Sequence, residues 1–561
     1  MLYNGYLQLG YHPMVFKSAE VVMIPKPNKR DLSNPSAWRP ISLLPCLSKG
    51  LERVLARRIA YMAVTHDIIP PELAGALPRR SAMDIVSSLV FDIESKVFKN
   101  HLVATLVTMD IKGAFDAVLR NRLIQRLQRQ GWPLNLIYWV YSFMSCRIAF
   151  ARFGKSQSDS IELPCGLPQG SPISPILYLL YIVDIYSLDG ADKRYGYADD
   201  TAMLFIGSSL QETSQRAEQA IQRMVEWSKS TAVTFDPAKT EIMHFTRKRV
   251  TESPTIQHQD KVNKATPSMR WLGVYLDSKL KFNAHITYWR QKAMVTANLL
   301  RSLSNTISGI KPSAVRRAVN TVIIPTIFYG IEVWLLDDAP AAGRGRVSQI
   351  TRTRITAIQS CLNTACRAIL PVWKTTPEVY MWREAGIPAA EDLIRAARSR
   401  ISLRIATLDR RHPIRERLDD FERRCALEAH PETHRSVMSR HIRLLGLSTL
   451  HKDIPSVPLI PRRYNTNITT ILNKNTKDIE TKLHLQWLKS RPEGYIVYSD
   501  GSKLEDGRAG YGFIIYKDGI QVDSGSRQLD HREVFDAEIS GALKSLKQAM
   551  THNLERLPVT I

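Results

Sequence analysis

At 561 residues the chain exceeds what one hydrophobic core organises, so three or four domains are expected. Hydrophobic residues make up 44% and charged residues 23%, which excludes a disordered chain. Lys and Arg number 77 against 53 Asp and Glu, a formal charge of +24; such a surplus repels itself unless it meets an anionic partner, of which nucleic acid is the commonest.

Residues 1–100 mix short strand-like runs, such as AEVVMIP (19–25), with a helical pattern from Leu43 to Val64. From 101 to 245 strands and helices alternate. LVATLVTMDI (102–111) reads as a buried strand, NRLIQRLQRQ (121–130) as an amphipathic helix, and GYADDTAMLFIG (196–207) and TEIMHF (240–245) as strands around a helix near 210–230. This order predicts a mixed sheet with helices on one face. From about 285 to 450 the pattern is helical and dense in arginine, most of all in 394–418; arginine on helices is ordinarily a solvated face. Residues 451–490, with Pro455, Pro458, Pro461 and an Asn/Thr run, predict a linker. Beyond it, YIVYSDG, AGYGFIIYKDG and IQVDSG predict three strands joined by Gly/Asp turns, then a helix at about 533–552.

Cys46, Cys146, Cys165, Cys361, Cys366 and Cys425 are scattered, without zinc spacing, so reduced thiols inside a cell are the simple reading. The apolar runs Ile173–Val183 and Thr321–Leu336 are too short or interrupted to span a bilayer. The start has no signal-peptide pattern. The compartment stays open between the nucleus and an organelle such as the mitochondrion.

The strongest chemical signal is Tyr197-Ala198-Asp199-Asp200 between apolar runs. Adjacent carboxylates at a strand turn are costly unless cations hold them, and Mg²⁺ bound by few carboxylates and substrate phosphates answers that need. Asp110 ends a buried apolar strand, where an unpaired carboxylate needs a reason. Phe115 and Asp116 follow it, and GLPQGSPISPILY (166–178) opens an apolar helix between the two acidic sites.

In this order the motifs resemble reverse transcriptases, most closely those of non-LTR (LINE-type) retrotransposons, whose pattern runs D-x4-F-D, G-x-P-Q-G-S-x-x-S-P, then F/Y-A-D-D. IPKPNK (24–29), WRPISLLPCLSKGLERVLARRI (38–59), FDPAKTEIMHF (235–245), WLGVYLD (271–277) and TIFYGIEVW (326–334) extend the resemblance over nearly all of residues 11–390. It implies an α/β fold with an α+β palm: a right hand of fingers (1–100, N-terminally incomplete), palm (101–285) and helical thumb or connection (286–450). It also implies an RNA-directed DNA polymerase using an RNA template, a DNA primer or nicked target DNA, and deoxynucleoside triphosphates.

Under that resemblance Asp110 and Asp199 would bridge two Mg²⁺ ions, with Asp200 in support and Mn²⁺ a substitute. Phe115 would exclude a 2′-OH; Gln169 and Gly170 would meet the incoming nucleotide; Lys26 and Arg39 would contact its triphosphate. Lys239 would lie near the pyrophosphate as a general acid, while Asp116 helps to position its loop. In LAGALPRRSAMDIV (73–86), Ala76-Leu77 stand where the family has Phe-Arg, which puts a template contact in question.

Asp500-Gly501-Ser502 at a strand end and Glu538 on the following helix resemble the first half of ribonuclease H, in which both carboxylates would bind metal. The chain stops at LPVTI, like that family's fourth strand before its third aspartate. The expectation is an incomplete module at 491–561, inactive and loosely packed. Both chain ends read as cuts. Two other readings stand beside an active polymerase: a catalytically silent relic or RNA-binding-only protein, and an intron maturase, against which the 500–538 segment counts.

Overall fold

The computed structural model describes residues 2–27, 31–154, 156–249, 253–304, 309–334, 349–409, 411–419, 477–490, 494–531, 534–552 and 559–560. Two compact units divide between Arg462 and Arg463.

In the first unit, strand Ser18–Pro25 pairs antiparallel with Trp38–Leu43 and parallel with Arg147–Phe153. The β-branched and apolar residues of AEVVMIP suit such a pleated, half-covered surface. Helix Cys46–Thr65 follows Pro45 and buries Leu51, Leu55, Ile59 and Ala63, one face at intervals of four residues.

The central sheet has the order Glu241–Phe245, Val103–Met109, Asp200–Gly207, Lys193–Tyr197, Leu73–Ala74. All its pairs are antiparallel except the last, which is parallel. The expected mixed sheet is therefore present, but not with helices on one face only. Ala104, Leu106, Leu204, Met243 and Phe245 enter one core with helices Ala82–Asp92 and Asn283–Leu303. Val107, Met109, Met203, Phe205 and Ile242 enter another, with helices Cys46–Thr65, Ser174–Ile182 and Leu210–Lys229. The reason lies in the sequence: VATLVTM is apolar or small at both phases of the strand alternation, so neither face can be left to water.

Helix Leu210–Lys229 starts where Ser209 accepts from the Glu212 N–H at 3.2 Å. That is an N-cap satisfying one orphan donor. Helices Asn283–Leu303, Gln349–Ile369, Glu378–Ala385 and Ala390–Ala406 make up most of the later part, matching the helical expectation as far as residue 419. Two of the arginines in 394–418 reach buried acids: Arg417 is itself buried, and Arg404 keeps solvent contact. Arg417, 7% exposed at its side chain, donates to Asp92 at 2.6 Å and to Glu72 at 3.1 Å. Arg404 donates to buried Asp84 at 2.6 Å.

In the second unit, Ile520–His531, Arg508–Lys517 and Tyr495–Lys503 form an antiparallel sheet, and Val559–Thr560 adds parallel to Tyr495–Ile496. Helix Val534–His552 packs on it, with Ala549 meeting Tyr495, Val497 and Ile515 in a small core. The three strands, the helix and the terminal strand agree with expectation. Helix Lys477–Lys489 does not: it occupies part of the stretch expected as linker. There KDIETKLHLQWLK spaces Ile479, Leu483 and Trp487 by four residues, a helical repeat that the preceding polar run obscures. The proline-bearing part of that stretch lies outside the described residues, as does Cys425; the other five cysteines are free. Among the described residues no helix is long and apolar enough to cross a membrane.

Candidate functional site

Asp110 follows the last residue of strand Val103–Met109, and Asp199–Asp200 belong to the turn between Lys193–Tyr197 and Asp200–Gly207. Thr201 lies opposite Met109 and Asp200 opposite Tyr197. The register thus sets Asp200 beside the exit of the Asp110 strand, with Ala198 and Asp199 as the turn residues. Ala198 has φ 57°, and its N–H donates to the Ala74 carbonyl at 2.8 Å. That bond pins the turn to strand Leu73–Ala74.

The three carboxylates feel one another. Burial, then Asp199 and Asp110, push Asp200 up to about 6. Asp199 is also raised, by burial first and by Asp110, with Arg39 and Lys239 opposing. Two neighbouring groups that resist ionisation mark a place wanting positive charge. Part of it comes from Lys239, whose Nζ is 2.6 Å from Asp110 Oδ2 and whose own pKa is raised, chiefly by that bond. Local folding explains the meeting. Thr234–Phe235 pairs with Ile111–Lys112, and the Asp236 N–H donates to the Asp110 carbonyl at 2.9 Å. Asp236 Oδ1 then accepts from the Ala238 N–H at 3.1 Å, shaping the tight turn that carries Lys239.

The other predicted residues sit on separate elements, and of these Arg39 acts on Asp199 electrostatically. Phe115 stacks on Tyr178 with centroids 5.0 Å apart, and its carbonyl accepts from the Leu167 N–H at 2.8 Å. Gln169 Nε2 lies 3.4 Å from Asp116 Oδ1, and the Gln169 carbonyl accepts from the Ser42 N–H at 2.6 Å. Gly170, at φ 126°, leaves no room for a side chain: a Cβ would stand 2.5 Å from the Ser42 carbonyl oxygen. Arg39 pairs with Ile24 across the N-terminal hairpin, and Lys26, just beyond that strand, donates its N–H to Ala37 at 2.8 Å.

One residue escaped the sequence reading. Glu52 is fully buried and accepts from the hydroxyls of Ser48 and Ser171, so it ties the Gln169–Gly170 loop to helix Cys46–Thr65. Its signal was an acid beside the apolar face of that helix. In the second unit, Asp500 pairs with Gly512. Gly501 presses on the helix so closely that a Cβ would stand 2.5 Å from the Glu538 nitrogen. The backbone next to Asp500 thus lies against that of Glu538.

Among the described residues no group of three or more His, Cys, Asp or Glu side chains already has metal-holding geometry. The donor chemistry at Asp110, Asp199 and Asp200 still fits a hard divalent cation. All the donors are carboxylate oxygens, two of them raised in pKa by burial first and by neighbouring carboxylates next.

Carboxylates on adjoining strands, with a lysine bonded to one of them, form a site suited to metal-dependent chemistry on phosphates. Residues 24–276 match the family model for reverse transcriptase (RNA-dependent DNA polymerase). The chain is similar to RNA-directed DNA polymerases of transposons and mobile elements. The chain is 28% identical over 420 residues to the probable RNA-directed DNA polymerase from transposon BS of Drosophila melanogaster, covering 73% of this chain and 44% of that protein. It is 27% identical over 342 residues to the probable RNA-directed DNA polymerase from transposon X-element of the same fly, covering 60% and 37%. The figures for the RNA-directed DNA polymerase from its mobile element jockey are 26% over 346 residues, 60% and 37%. The chain thus spans less than half the length of these relatives. Among solved structures it aligns with telomerase from Candida albicans in complex with a fragment of telomeric RNA, at 11% identity, 74% and 70% coverage and a TM-score of 0.34, a likeness too loose to add weight.

Proposed function

We propose that this chain is the polymerase part of a non-LTR retrotransposon protein and extends a DNA primer, or nicked target DNA, on an RNA template. The convergence of Asp110, Asp199 and Asp200, with Lys239 bonded to Asp110, carries the reading. Residues 1–100 would be fingers, 101–285 palm and 286–450 thumb.

Bound there, two Mg²⁺ ions, or Mn²⁺ in their place, would neutralise phosphate charge and acidify the primer 3′-OH. The chain's own residues position and discriminate. Asp110 and Asp199 hold the cation site, and Asp200 adds negative charge beside it. Lys239 is protonated and can give its proton to the leaving pyrophosphate. Phe115, braced by Tyr178, walls the deoxyribose side. Gln169 and Gly170 bring backbone and amide to the incoming nucleotide, and Lys26 and Arg39 offer charge to its triphosphate. In the second unit Asp500 and Glu538 would share a divalent ion in the manner of ribonuclease H.

Primer extension on an RNA template with purified protein tests the reading. Mg²⁺-dependent incorporation of deoxynucleotides is expected. RNA binding without any incorporation in Mg²⁺ or Mn²⁺ would leave a binding protein or a silent relic.

A further inference from the structure

Away from the carboxylates, a cavity of about 350 Å³ opens between the start of helix Ala82–Asp92 and the end of helix Ala390–Ala406. Its wall includes Arg79, Arg80, Ser81, Arg404, Thr407 and Asp409. Three guanidinium groups from two distant parts of the chain meet there.

Arg80 is 6% exposed. Its Nη1 donates to the carbonyls of Pro71 and Leu73 at 3.2 and 3.3 Å, and Nη2 to that of Arg411 at 3.2 Å. Its Nε is buried without a hydrogen-bond partner. Carbonyls orient this guanidinium but cannot neutralise it, and burial pulls its pKa down to about 10 although Glu72, Asp84 and Asp409 lie near. Arg79 is exposed and held at φ 61°, with no ion pair among the described residues.

The acids on hand are largely used. Asp84 accepts from Arg404 at 2.6 Å and from the Ser81 N–H at 2.8 Å, and lies 3.5 Å from His412. Asp409 accepts from the Arg411 N–H at 3.0 Å. Glu72, the third acid near Arg80, is itself bonded to Arg417 and Lys193, so Arg79 is left without a counter-charge among the described residues beside a helix N-terminus, where the backbone dipole adds to it.

We propose that this cavity is a phosphate-binding site, filled by a backbone phosphodiester of the nucleic acid that the polymerase reading requires. Arg79 supplies planar donors suited to phosphate oxygens, the Ser81 hydroxyl, which accepts from the Asp84 N–H, keeps its own proton to donate, and Arg80 adds un-neutralised charge in the wall behind them. The inference rests on the polymerase reading for the source of the phosphate, not for the site itself.

Two arms test it with the full chain, Arg79→Asn and Arg79→Lys. Asn tolerates the left-handed conformation and keeps the loop's shape while removing the charge. In the first arm, affinity for an RNA–DNA duplex is followed against salt. Arg79→Asn is expected to weaken binding about threefold to tenfold and to reduce the slope of log affinity against log salt by about 0.7 to 0.9. Arg79→Lys should lose less. In the second arm, inorganic phosphate is expected to raise the melting temperature of the parent and not of Arg79→Asn. A response in the phosphate arm alone keeps the site and changes its source to free phosphate. If the parent binds no duplex, the polymerase reading fails and the phosphate arm alone decides. Unchanged behaviour of Arg79→Asn in both arms overturns the proposal.

Discussion

Gly75 lies against Ala198 so closely that a Cβ on it would stand 2.9 Å from both Cα and Cβ of that residue, and closer still to its nitrogen. Gly75 also has φ +113°, a conformation that side chains rarely adopt. The contact seats the turn that carries Asp199. Gly75→Ala is expected to cost about 2–4 kcal/mol, read by urea unfolding, and to lower primer extension at least about tenfold. Parent-like stability and rate together would show that the turn does not depend on this seat.

Asp199→Asn should abolish extension while RNA binding stays near that of the parent. Loss of a metal-holding carboxylate is expected to cost at least roughly 10³-fold in rate. Extension at more than a tenth of the parent rate removes Asp199 from the catalytic role.

The raised pKa of Asp200 has a sign that can be checked. The folded protein keeps this proton up to about 6, whereas an ordinary Asp releases it near 3.8. In the metal-free protein this group therefore makes stability fall as pH rises through that window. Asp200 keeps solvent contact, so water screens part of the effect. Asp200→Asn should raise the metal-free melting temperature at pH 7.5 and leave it little changed at pH 4. Added Mg²⁺ should stabilise the parent more at pH 7.5 than at pH 5, by the same carboxylate. Equal Mg²⁺ shifts at both pH values would contradict the assignment.

Lys239→Met should slow nucleotide addition by about 10²- to 10⁴-fold, because the ammonium 2.6 Å from Asp110 is lost. Lys239→Arg should restore part of the rate. A Met variant as fast as the parent, measured in single-turnover extension, excludes Lys239 from the proton transfer.

Removing Arg417 would leave Asp92, which is 2% exposed, with Lys96 at 3.4 Å as its charged partner among the described residues. Arg417→Ala is expected to destabilise by about 3–5 kcal/mol, since the buried carboxylate loses its 2.6 Å ion pair. Denaturant titration checks this, and a change under about 1 kcal/mol would mean that water reaches the pair.

The three clustered carboxylates were legible because each breaks a local rule: Asp110 ends an apolar strand, and Asp199 and Asp200 repel at a turn. Partners set by long-range pairing were not. Gly75 reaches Ala198 through a two-residue parallel bridge to Lys193–Tyr197, too short to leave a periodic trace. Lys239 meets Asp110 through another two-residue pairing, and only the family resemblance drew attention to it. Arg404 and Arg417 looked solvated because composition cannot tell an outward arginine from one aimed at a buried acid. Glu52, an acid beside an apolar helix face, gave no sign of the Ser171 hydroxyl that it meets from 119 residues away.

The Asp92–Arg417 pair spans 325 residues of sequence, and that separation is also a delay. A chain made at about 5–20 residues per second exposes Asp92 roughly 15 to 65 s before its counter-charge exists. Until then Asp92 has only Lys96 at 3.4 Å and the Tyr195 hydroxyl at 2.6 Å beside it. The unit that holds the carboxylate cluster must wait for a late helical stretch to neutralise Asp92. Ribosomes stalled before residue 417 should therefore hold nascent chains that proteases cut within this unit, whereas chains released after it resist.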